Sequence, residues 1–203
     1  MIRLTEPTLE PFFDRPGVRW GRDGRLHVYL LPELSALDAA AHRINAVMPT
    51  QAARYRHLTV AQFPWYVDDL DPNAWQGLQV AIEQATLDIA PISVRLLPPV
   101  VVDTGVVVPC DVPGWADLTT FLSQLRLHGH AGVPVPTALP HVSLAYAVRP
   151  TSRRRIEQLI ENVARSWEPV VVTASSLDLV AVNQRPETGA FTWADRRAFP
   201  LGG

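Results

Sequence analysis

The sequence predicts an α+β fold made of two lobes that face each other across a cleft. One observation is the order of elements, read from hydrophobic period and turn signals. The order is strand, helix, strand, helix, strands, and then helix, strand, helix, strands. A second is that the tetrapeptides His57-Leu58-Thr59-Val60 and His141-Val142-Ser143-Leu144 share the pattern H-x-[ST]-aliphatic and open equivalent strands of that order. The third is composition: 203 residues with 47% hydrophobic and 19% charged side chains suffice for one cored domain built from two similar halves. The repeat lies in architecture and hardly in sequence, and its period is too long for a solenoid.

Residues 1–25 are rich in Pro, Gly and Arg and read as an extended lead-in with at most a short strand or turn; residues 26–203 read as the single bilobal domain. Leu26 to Leu31 is the first clear strand, ended by Pro32. A helix from Pro32–Glu33 through Met48 follows, with Leu34, Leu37, Ala41, Ile44 and Val47 at helical spacing and Pro49 as its stop. The strand His57 to Phe63 places His57, Thr59 and Ala61 on one face and Leu58, Val60 and Gln62 on the other. Asp71 caps a helix that has Pro72 at its first position and runs to about Ala90.

Ile92 to Leu97, Val100 to Val102 and Val106 to Val108 read as strands, with a hairpin turn at Asp103-Thr104-Gly105. Trp115 to about His128 is a helix closed by Gly129, and Gly132 to Pro140 is a loop placed to act as a flap. His141 to Val148 is the second motif strand. Ser152 caps a helix from Arg153 to about Trp167. The chain closes with strands at Val170 to Thr173, Leu177 to Val182 and Ala190 to Phe199, the last two joined by a turn at Pro186–Gly189.

The net charge is -2 and the sequence pI is about 6.3. No global basic field exists to hold long duplex nucleic acid, whereas a small phosphate ester needs only a local pocket. The single cysteine, Cys110, forms no internal disulfide and supplies no multi-cysteine zinc site; it reads as a buried or loop thiol. The first residues carry acids and prolines where a signal peptide needs an apolar run, and no stretch approaches the ~18 apolar residues of a membrane helix. The expectation is a cytoplasmic, monomeric protein with no membrane partner.

The two tetrapeptides carry the chemistry. Roughly 0.17 such matches are expected by chance in a chain of this composition. On a strand, residues i and i+2 share a face. Each H-x-[ST] therefore presents an imidazole beside a hydroxyl, while Leu58 or Val142 anchors the strand in the core. Two such strands at one cleft gather two imidazoles and two hydroxyls around a volume that suits a tetrahedral phosphate. Imidazole titrates near working pH, so one ring can accept a proton from water while the other gives one to a leaving oxygen. Thr59 and Ser143 would donate to non-bridging oxygens. This chemistry calls for neither metal nor cofactor.

The motifs and their strand placement resemble the 2H phosphoesterase superfamily, which includes 2′-5′ RNA ligase-like proteins and cyclic nucleotide phosphodiesterases. The resemblance covers residues 26–199 in element order. It implies a bilobal α+β fold of antiparallel sheets with pseudo-two-fold symmetry, helices on the outside and a central cleft. It also implies metal-independent catalysis by His57, Thr59, His141 and Ser143. The implied substrate is a small nucleotide or RNA end, such as a 2′,3′-cyclic phosphate. Bacterial 2′-5′ ligase-like proteins often carry an arginine shortly after each motif; here Gln62 and Tyr146 stand near those places. Two other readings stay open: a nucleotide-binding module of the same fold without turnover, and an RNA end-processing or 2′-5′ ligase-type enzyme.

Other residues carry weaker signals. Tyr55, on the face of His57, and Phe63 are placed to stack on a nucleobase at the rim. Tyr146 is a third candidate for substrate contact. Its parity puts it with Val142 and Leu144 on the core side unless a bulge intervenes. His27 and His42 read as structural or exposed, and His128 and His130 as helix-end caps or cleft rim. Arg153-Arg154-Arg155 reads as a solvated helix face or as a guide for a polyanion.

Overall fold

The computed structural model describes residues 7–202; the first six residues of the lead-in lie outside the described residues. The strands are β1 Thr8–Leu9, β2 Arg25–Leu30, β3 Leu58–Tyr66, β4 Ile92–Leu96, β5 Val100–Val102 and β6 Gly105–Asp111. They continue with β7 Val135–Pro136, β8 His141–Tyr146, β9 Thr151–Ser152, β10 Val170–Ala174, β11 Ser176–Arg185 and β12 Ala190–Pro200. The helices are α1 Asp38–Asn45, α2 Pro72–Thr86, α3 Trp115–Ser123 and α4 Arg153–Arg165.

Local chemistry explains most of these limits. Asp71 caps α2 by accepting from the backbone N–H groups of Asn73 and Ala74 at 2.8 and 2.9 Å, with Pro72 at the first position. Ser152 accepts from the Arg155 N–H at the start of α4. Three helices are shorter than their periodicity suggests. Glu33 turns its carboxylate onto the Ser35 N–H, so the chain enters α1 through a 3₁₀ turn at Ser35–Leu37 and not from Pro32. The last turn of α3 tightens to i−3 bonds at Gln124 and Leu125, and the Arg126 guanidinium donates to the freed carbonyls of Ser123 and Leu125. In α2 the Thr86 hydroxyl donates to the Glu83 carbonyl at the final turn. The two-residue strands β1, β7 and β9 are too short to show a period. β7 lies in the segment expected as a loop and pairs with Ala61 and Gln62 of β3.

The two halves join in one antiparallel sheet of ten strands, with main order β10-β4-β6-β8-β3-β2-β11-β12. That order is symmetric about the β8–β3 junction, with four strands on each side. The runs β2-α1-β3-α2 and β6-α3-β8-α4 repeat one another, and β2 and β6 flank the motif strands in equivalent places. The α+β class and the pseudo-two-fold repeat are therefore as expected. α1 and α4 lie against each other and against β8 and β5, while α2 packs on β12 and α3 on β3 and β7. Leu58, Val60, Val142 and Leu144 are all fully buried in the main core, so the motif strands are anchored from beneath. A second, aromatic cluster around Phe13, Tyr29, Phe191 and Trp193 draws in Phe12 and Trp20 from the N-terminal segment. No described helix is long and apolar enough to cross a membrane.

Candidate active site

β3 and β8 meet through a single residue pair, Leu58 opposite Val142. Extending that register by one residue each way sets His57 opposite Ser143 and Thr59 opposite His141. The four motif side chains thus stand at the four corners around the junction, and all four line one cavity of about 640 Å³. That volume falls within the ~300–1,000 Å³ of small-molecule sites.

The two imidazoles are held alike. His57 Nδ1 lies 2.8 Å from the Tyr55 carbonyl oxygen, and His141 Nδ1 lies 2.9 Å from the Leu139 carbonyl oxygen. A carbonyl only accepts, so each Nδ1 carries the proton and donates it, leaving Nε2 as the free nitrogen. Their surroundings differ. His57 is 7% exposed; it stacks on Tyr29 with centroids 3.9 Å apart and meets the edge of Trp193 at 5.3 Å. Burial in this aromatic sleeve, with the nearby His141, lowers its pKa to about 4 despite the bond to Tyr55. His141 is partly exposed at the cleft edge.

Each hydroxyl has a phenol beside it. Tyr29 stands opposite Thr59 in the β2–β3 ladder, Tyr146 lies three residues beyond Ser143 on β8, and both phenols line the same cavity as the hydroxyls. Burial pushes the Tyr146 phenol up to about 12 and raises Tyr29 well above its ordinary value, so both stay protonated donors.

The register shifts just after the hydroxyl residue in each motif strand. Tyr29 pairs with Thr59 but Val28 pairs with Ala61, which leaves Val60 as an extra residue in β3. Val107 pairs with Ser143 but Val106 pairs with Ala145, which leaves Leu144 extra in β8. These equivalent bulges reverse the facing of everything beyond them. Gln62, expected on the core side, lines the cleft, and so does Tyr146. Phe63, expected at the rim, is fully buried and stacks on Trp65, so it cannot touch substrate. Tyr55 lies in a 3₁₀ turn, where strand parity does not apply; its ring packs against Trp193 and is not part of the cavity lining. Its carbonyl, not its ring, serves the site.

Longer alignment of the motifs carries the missed signal: HLTVAQ and HVSLAY share an alanine after the bulged residue. The buried Ala61 and Ala145 mark where each strand shifts register. His27, read as structural or exposed, is 1% exposed and forms part of the cleft wall, opposite Gln62 in the β2–β3 ladder and 3.5 Å from the Tyr29 hydroxyl. Burial first, and then the charge of Arg25, hold it well below the usual histidine range. Phe12, Trp20 and Phe191 complete an aromatic wall. His42 and His128 are exposed.

No protein-family model matches the chain, and no curated protein matches it. Solved structures do. TT0787 of Thermus thermophilus aligns with a TM-score of 0.57 and 16% identity over 87% of this chain and 98% of that one. E. coli LigT in its apo form aligns at 0.50 and 15% over 90% of this chain and 100% of that one. The chain shares the fold of these structures, as the motif resemblance implied. At these identities the likeness establishes the fold, and the motif residues must be argued from their own geometry.

Proposed function

We propose that this chain is a metal-independent phosphodiesterase that hydrolyses a 2′,3′-cyclic phosphate or a related small nucleotide or RNA-end diester. The observation that carries the reading is the four-cornered arrangement: two imidazoles with Nδ1 tied down and Nε2 free, each across from the other motif's hydroxyl, in one cavity. His57 is the base, because its buried ring is neutral at pH 7. Water adds to phosphorus as its proton passes to His57 Nε2. The P–O bond to one ribose oxygen breaks, and that oxygen takes a proton from Nε2 of His141, which enters the step as an imidazolium with both ring nitrogens protonated. The product is a phosphomonoester, and bulk water at the cleft edge resets the two rings. Thr59 and Ser143 donate to the non-bridging oxygens as charge grows there.

The test is turnover of a 2′,3′-cyclic nucleotide by wild type, His57→Ala and His141→Ala. Each variant is expected to lose at least ~10²-fold in kcat with the fold retained by circular dichroism. Wild-type activity is expected to persist in excess chelator; loss restored by added metal would remove the mechanism. Binding of cyclic nucleotide with no product would favour the binding-module reading.

A further inference from the structure

Every cationic side chain of this protein is an arginine, since its 18 Lys and Arg residues include no lysine. Among the described residues, none of these arginines lines the catalytic cavity, and neither does any aspartate or glutamate. The arginines nearest in sequence to the site are committed elsewhere. Arg25 donates to the Phe63 carbonyl and lies over the Trp20 ring, 5.2 Å from its centroid. Arg56 is buried and bonded to Asp38 at 2.6 Å, and Arg54 lies over the Tyr55 ring outside the cavity. The cavity walls are of two kinds. Phe12, Trp20, Tyr146 and Phe191 form a cluster of packed rings, with Tyr29 beside them, whereas Val100, Val102, Val107 and Pro109 from β5 and β6 are aliphatic.

Resting on the hydrolase reading, we infer that the cleft selects its substrate by charge. It takes a phosphodiester carrying one negative charge and an aromatic or apolar body, and it turns away substrates with a second phosphate. Groups for one diester are present at the four corners: two hydroxyls to donate to its oxygens and two imidazoles for the proton transfers. A further phosphate would lose its hydration against valines and aromatic rings with no cation to replace it, a costly transfer. The flat rings of Phe12, Trp20 and Phe191 suit a stacked base, which needs no charge for binding. A nucleoside 2′,3′-cyclic phosphate with a free 5′-hydroxyl meets this description; an RNA end or a 5′-phosphorylated nucleotide does not.

The experiment compares kcat/KM for three substrates: adenosine 2′,3′-cyclic phosphate, the same compound with a 5′-phosphate, and a short RNA ending in a 2′,3′-cyclic phosphate. The 5′-hydroxyl nucleotide is expected to be preferred by at least ~30-fold over each of the others. A Val100→Arg variant, which adds a cation to the aliphatic wall at an already exposed position, is expected to narrow that gap by about tenfold. Equal rates, or a preference for a multiply charged substrate, would overturn the charge selection while leaving the hydrolase reading intact. Absence of turnover on all three, with wild type and His57→Ala indistinguishable, would instead remove the hydrolase reading and this inference with it.

Discussion

Lowering the pH from 7 to 5 should weaken the fold, and His57 should account for about 2 kcal/mol of the loss. The folded-state pKa of His57 is about 4, against 6.5 when free, because protonation would place a charge in the sleeve formed by Tyr29 and Trp193. At pH 7 the ring is neutral in the folded chain and mostly neutral in the unfolded one, so refusing the proton costs little. Between 6.5 and 4 the unfolded chain binds a proton that the folded chain refuses, so stability falls as pH falls. Integrating the two titrations from pH 7 to 5 gives about 2 kcal/mol, approaching about 3 kcal/mol near pH 4. His27, buried beside it and also held low, adds a loss in the same direction. The perturbation is His57→Gln, which keeps a polar side chain but cannot titrate. Urea unfolding of both proteins at pH 7 and pH 5 gives four free energies. The variant is expected to be weaker at pH 7, having lost the Tyr29 stack, yet to lose about 2 kcal/mol less on acidification. Parallel losses in the two proteins would show that His57 is not held neutral by burial.

Three further outcomes follow from the same geometry. The rate kcat/KM on a cyclic nucleotide should hold as pH falls from 7 to 5, since the base stays neutral until about 4; an acid limb centred near the ordinary histidine value would refute the assignment of His57. Tyr146→Phe keeps the ring but removes a phenol that lines the cavity with Ser143, so kcat should fall about tenfold with KM nearly unchanged; unchanged kcat would mean that the phenol takes no part in stabilising the transition state. Gly105→Ala would place a methyl 2.1 Å from the Ala145 carbonyl oxygen, so β6 would have to move away from β8 at the Tyr146 end. A loss of about 2–3 kcal/mol is expected by thermal or urea unfolding, and an unchanged midpoint would show that the strands have slack there.

The motif half of this site was legible because it depends only on spacing of two along a strand. His57 with Thr59, and His141 with Ser143, needed no knowledge of partners. What lay beyond each hydroxyl was not legible by the same rule. Val60 and Ala61 are both apolar and both buried, as are Leu144 and Ala145, so hydrophobic alternation gives no sign that a residue has been inserted. Phe63 and Gln62 exchanged roles for that reason. The aromatic wall was hidden differently: Phe12 and Trp20 come from the N-terminal segment and Phe191 from β12, far away in the chain, and only the fold packs them together beside Tyr146. The helices were placed correctly but drawn too long, because side-chain to backbone bonds at Glu33 and Arg126 compete with the helical pattern.

The near-symmetry of the four corners has a chemical consequence. A reaction centre with an imidazole and a hydroxyl on each side has no handedness of its own: rotated by half a turn, a cyclic diester would meet the same donors with its two ester oxygens interchanged. The walls break that degeneracy. With packed rings in one part of the wall and valines from β5 and β6 in another, a bound base would fix which oxygen lies under His141 and therefore which one departs. On the proposed reaction, the choice between a 2′- and a 3′-phosphate would then rest with side chains that take no part in the proton transfers.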